Sequence, residues 1–144
     1  MGNNKRKEIL LQILEKEYAY KEAPNTGTRC ELIGAYLSAA NHEYSTQAGY
    51  DGELFWYEKA CLLAQEGVNA EPCFVSLWDA AVVYFNKAEF TQRYSMNQEA
   101  STLYKTAAEY LKKIIADRIP PYNADCNAEE FLAKIESRYN ALEN

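Results

Sequence analysis

The stretch FVSLWDAAVVYFNKAEF, residues 74–90, decides the fold. Phe74, Trp78, Ala81, Val82, Phe85 and Ala88 recur at the three- and four-residue spacing of one helical face, with no alternation that suits a strand. It is the most hydrophobic segment of the chain and is expected at the centre of the fold. Pro72, just ahead of it, suits the first turn of a helix, where a missing N–H costs nothing.

Working outward toward the C-terminus, a turn near Tyr94 to Asn97 leads to Ala100, Leu103, Tyr104, Ala107, Leu111 and Ile114, the cleanest apolar stripe in the sequence. Arg118-Ile119-Pro120-Pro121 stops that helix. Asn127 with Glu130 three residues on is a capping-box pattern, and it opens a last helix with Phe131, Leu132, Ile135, Tyr139 and Leu142.

Toward the N-terminus, Gly67 is a natural C-terminal cap for a helix from about Gly52 to Glu66, carrying Leu54, Phe55, Tyr57, Cys61 and Ala64. Gly49 and Gly52 bracket the turn before it. Thr28 with Glu31 forms a further capping box for a helix striped by Leu32, Ile33, Tyr36, Leu37, Ala40 and Tyr44. A first helix, about Asn4 to Glu22, carries Ile9, Leu10, Ile13, Leu14 and Tyr18 and ends before Pro24. The class expected is therefore all-α: about six antiparallel helices in one domain over residues 1–144.

Two of the helix pairs repeat one pattern about 46 residues apart, measured from Leu32 to Trp78. Ala35 aligns with Ala81, Leu37 with Val83, Glu43 with Glu89 and Tyr44 with Phe90. One residue further on, Tyr57 aligns with Tyr104 and Ala60 with Ala107. The alanines let two helix backbones approach while the aromatic rings fill the space beside them.

This arrangement resembles the tetratricopeptide repeat. Trp78, Ala81, Val82 and Phe85 match the spacing of that family's first helix, and Tyr57-Glu58-Lys59-Ala60 followed by Leu62, Leu63 and Ala64 looks like its second. The resemblance covers roughly residues 30 to 118 and implies two stacked hairpins with the first and last helices as caps. The period exceeds that family's usual 34 residues, and Val82 and Tyr36 stand where the family has glycine, so a plain helical bundle is the structural alternative.

In such stacks the first helix of each pair lines a concave face. What the resemblance implies for ligand binding falls on Asp79, Val83, Asn86 and Lys87 in the second copy, and on Ile33, Leu37, Ala40 and Asn41 in the first. Asn86 and Lys87 suit a peptide backbone or carboxylate. Leu37 and its neighbours suit an apolar side chain or another helix, or are simply covered by the N-terminal helix.

Composition bounds the remaining classes. The 144 residues are 48% hydrophobic and 13% aromatic, which is the composition of a folded domain rather than a disordered chain. Twelve tyrosines suit core rims and binding surfaces alike. The net charge of −6 disfavours nucleic acid, and Lys5-Arg6-Lys7 reads as a solvated, frayed end. No apolar run reaches membrane-spanning length, and the start at Met1 carries no signal-peptide pattern. A cytoplasmic protein with reduced thiols is expected.

Cys30, Cys61, Cys73 and Cys126 form no CxxC pair, so neither a metal site nor a redox motif is expected. Cys61 reads as core and the other three as partly exposed near helix ends. His42 is the single histidine and reads as a surface residue. No acid/base pair, phosphate loop or nucleophile triad follows from spacing, and no cofactor is expected. The leading function is a protein-interaction module or adaptor that binds a peptide or helix. A small acidic chaperone or inhibitor acting as a homodimer is the alternative, and an unrecognised enzyme the third class.

Overall fold

The computed structural model describes residues 2–122 and 127–143. Among them are six helices and no strand: α1 Gly2–Glu22, α2 Thr26–Ser45, α3 Tyr50–Ala70, α4 Phe74–Arg93, α5 Asn97–Ala116 and α6 Ala128–Glu143. The chain is all-α, with α2–α3 and α4–α5 as antiparallel hairpins and α1 and α6 flanking them. It divides into two compact units, residues 1–67 and 68–144, so the last three residues of α3 fall in the second.

In the first unit, three contacts fix α2 against α3 along their whole length. Arg29 lies on Gly67 and Glu43 lies by Gly52, while the Tyr36 ring stacks on Trp56 with centroids 6.0 Å apart. Helix α1 runs antiparallel to α2, tied by Arg6 to Glu43 at one end and by Tyr20 to Arg29 at the other. The core comprises Ile13, Leu32, Ile33, Tyr36, Ala40, Tyr57, Ala60, Cys61 and Ala64.

Several boundaries differ from the sequence reading. Helix α2 starts three residues early because Asn25, not Thr28, is the cap: its Oδ1 accepts from the Thr28 N–H at 2.9 Å, and Thr28 Oγ1 accepts from the Asn25 N–H at 3.1 Å. Gly67 does not end α3. It lies inside the helix with the Arg29 side chain drawn across it, and a methyl group there would come within 2.6 Å of Arg29 Cδ. The glycine serves close approach, not capping. Gly52 likewise lies inside α3, and Gly49, at φ +98, makes the turn.

In the second unit, α4 is antiparallel to α5 and α5 to α6. The core is Leu77, Ala81, Phe85, Tyr104, Ala107, Leu111, Ile114 and Ile135. Pro72 precedes the capping residue Cys73 rather than entering α4, and Ser76 Oγ accepts from the Cys73 N–H at 2.9 Å. The stripe of α5 is buried as expected, apart from half-buried Leu103. Helix α6 starts directly after Asn127, whose φ of +66 is not the extended geometry of a capping box. Rings carry α6 onto α4: Phe74 stacks on Trp78 at 5.7 Å, Trp78 meets Phe131 at 5.4 Å, and Phe131 meets Phe85 at 5.4 Å.

Cys61 is buried, Cys30 and Cys73 are half-buried thiols, and Cys126 lies outside the described residues.

Candidate functional site

Helix α1 departs furthest from expectation. Its apolar residues are spread over more than half the helix circumference at 100° per residue, and one neighbour cannot cover them all. Ile13 is buried, with Ile9 and Tyr20 half-buried on the same face. Leu11 is 60% exposed, Leu14 61% and Tyr18 67%, with Leu10 at their side. The expected buried stripe through Leu10, Leu14 and Tyr18 is instead an uncovered row.

Polar contacts seat the opposite face of α1. Arg6 Nη1 donates to Glu43 Oε1 at 2.8 Å, the Tyr36 hydroxyl donates to Glu17 Oε2 at 2.7 Å, and the Tyr20 hydroxyl donates to Glu66 Oε1 at 3.0 Å. Lys16 adds a 3.4 Å pair with Glu31. Arg6 is thus part of the fold, not a frayed end, because the buried Glu43 carboxylate needs a cation. The Tyr36 phenol is pushed well above its ordinary range by burial, reinforced by its hydrogen bond to Glu17 and that carboxylate's charge.

A second cluster lies where α4, α5 and α6 meet. The Tyr104 side chain is fully buried, and its hydroxyl hydrogen-bonds Gln92 Oε1 at 2.8 Å. Arg138 Nη1 donates to Glu89 Oε2 at 3.0 Å, and its guanidinium lies 5.6 Å from the Phe85 ring, with Lys134 Nζ 5.1 Å from the same ring. Burial raises the Tyr104 phenol pKa, and the Arg138 hydrogen bond offsets part of the rise. Burial opposes the Arg138 charge, but its bonds to Glu89 and Tyr104 outweigh that and raise its pKa. A cavity of about 370 Å³ borders this cluster, lined by Glu89, Gln92, Arg93 and Arg138. The geometry is that of a polar clasp holding α6.

The residues expected to bind a ligand fall as follows. Leu37 is half-buried and Asn41 exposed, one turn apart on α2; Ile33 and Ala40 are buried. Asp79, Asn86 and Lys87 are half-buried on α4, and the Asn86 Nδ2 donates to the Val82 carbonyl of its own helix at 2.8 Å. Val83 is fully buried and presents no surface to a ligand, which corrects the exposure expected of it. Core packing claims Val83 because α4 is apolar over most of its circumference. His42 is half-buried at the end of α2, where its carbonyl accepts from Thr46.

Leu11 and the Tyr104–Arg138 cluster were missed by the sequence reading. Leu11 was detectable as one leucine too many for a single buried face; the cluster joins three helices and has no signal in spacing. Among the described residues no helix is long and apolar enough to cross a membrane, and no three His, Cys, Asp or Glu side chains converge as a metal site. Comparison with protein-family models, with curated proteins and with solved structures gives no match.

Proposed function

We propose that this chain is a protein-interaction module whose docking surface is the outer face of α1. The observation that carries the reading is the uncovered row of Leu11, Leu14 and Tyr18 on a helix whose inner face is pinned by Arg6, Lys16, Glu17 and Tyr20. A large apolar patch on a fixed base is what a partner buries, and a leucine row at helical spacing fits another helix. The two hairpins, with Ala60 and Ala107 buried beside Tyr57 and Tyr104, support a tetratricopeptide-like scaffold. Tyr36, Tyr104 and Arg138, whose pKa values are raised, are each tied into helix packing, which accords with a binding role.

A photo-crosslinking residue placed at Leu14 in native cells tests this. Protein adducts are expected there and not at Glu109, an exposed position on α5. Equal yields at the two positions would sink the reading.

A further inference from the structure

The charges beside the α1 row define what it binds. Glu8, Glu15 and Glu22 recur every seven residues and lie along one flank of the seam formed by Leu11, Leu14 and Tyr18. All three are exposed. Glu15 and Glu22 make no ion pair among the described residues, and Glu8 has only an exposed 4.0 Å approach to Lys5, which contributes little. By contrast the inner-face charges Arg6, Lys16 and Glu17 are all engaged within the chain. The other flank is Leu10, and Lys7 and Lys21 stand at the two ends of the seam.

We propose that α1 receives an amphipathic helix whose leucine-type seam is flanked by Lys or Arg at seven-residue spacing. This rests on α1 being the docking surface. In a two-helix seam the flanking positions meet across the interface and set partner choice. A basic flank on the incoming helix pairs with Glu8, Glu15 and Glu22. A second copy of this chain is the wrong partner, because antiparallel pairing of two α1 rows sets Glu8 and Glu15 of one against Glu15 and Glu8 of the other. Parallel pairing sets Lys7 on Lys7 and Lys21 on Lys21.

The probes are two designed helical peptides of about 20 residues, long enough to cover the row. Both have the same leucine seam, and they differ only in carrying Lys or Glu at the flanking positions. The Lys peptide is expected to shift the backbone amide resonances of α1 and to bind about tenfold more tightly than the Glu peptide, three pairs changing from attraction to repulsion. Raising the salt shrinks that ratio. In the chain carrying E8K, E15K and E22K the preference reverses, and L11D with L14D abolishes binding of both peptides. Circular dichroism checks that these surface variants keep their helices.

Equal binding of the two peptides, or a preference that E8K/E15K/E22K leaves unchanged, overturns the proposal. So does a wild-type dimer in sedimentation that L14D dissolves. If neither peptide touches α1 while Leu14 still crosslinks to protein, the basic-helix inference falls and the docking face stands. If Leu14 forms no adducts either, both fall.

Discussion

Gly67 and Arg29 form a matched pair. The glycine gives the arginine stem room on α3, and the guanidinium is buried against the Tyr20 ring and hydroxyl, 5.6 Å from the ring centroid. Its Nη1 has no partner among the described residues. Gly67→Ala is expected to destabilise the protein by about 1–2 kcal/mol, the displaced Arg29 outweighing the gain in helix propensity. In an Arg29→Ala background, which removes the δ atom, the same change becomes neutral or stabilising. Gly34 is the control. It is exposed on α2 with nothing within 4 Å of an added Cβ, so Gly34→Ala should add about 0.5–1 kcal/mol. Urea unfolding of the four variants checks the set. At this scale the sequence was misleading: a glycine after a helical stretch reads as a cap, and only the arginine 38 positions earlier in the chain (67 minus 29) reveals its other role.

Among the elements, α1 is the one whose existence was plain and whose orientation was not. Ile9, Leu10, Ile13, Leu14 and Tyr18 announce a helix, but periodicity does not say which part of a wide apolar arc faces inward. The inner face is set by Arg6, Glu17 and Tyr20, polar residues whose partners lie on α2 and α3. Removing one of these anchors should loosen the helix as a unit. Arg6→Ala leaves the Glu43 carboxylate buried without its cation and is expected to cost about 1–3 kcal/mol. Hydrogen exchange should then speed up across α1 and remain unchanged in α5, whose stripe from Ala100 to Ile114 is buried at nearly every turn. Unchanged exchange in α1 would show that Ile13 and the Glu17 and Tyr20 contacts hold it without Arg6. The α5 stripe was read correctly because it is narrow, so that periodicity and burial coincide.

For the whole molecule, the two hairpins were visible in the alanine and aromatic pattern, and the division at residue 67 was not, since Gly67 reads as the cap of one helix whereas α3 continues unbroken through it to Ala70. In the first unit the repeated pair is preceded by its third helix, and in the second unit it is followed by one. In each unit a buried tyrosine has its phenol raised above the ordinary value of 10.0: Tyr36 in the first and Tyr104 in the second. The unfolded phenols ionise near pH 10 while the folded ones stay neutral. Their contribution to stability is thus fully present below pH 10 and declines as pH rises above it. Tyr36→Phe and Tyr104→Phe are each expected to lower stability at neutral pH by about 1–2 kcal/mol through the lost hydrogen bond. Each should also flatten the alkaline decline. Urea midpoints followed from neutral pH to above pH 10 test this, and a decline equally steep in both variants would rule out these two phenols as its source.

The aromatic contacts have an optical consequence. The chain has two tryptophans. Trp56 stacks on Tyr36 in the first unit, and Trp78 sits between Phe74 and Phe131 in the second. Each unit therefore carries its own fluorophore. Replacing one tryptophan by phenylalanine leaves an emission signal that follows the melting of a single unit, with no label added.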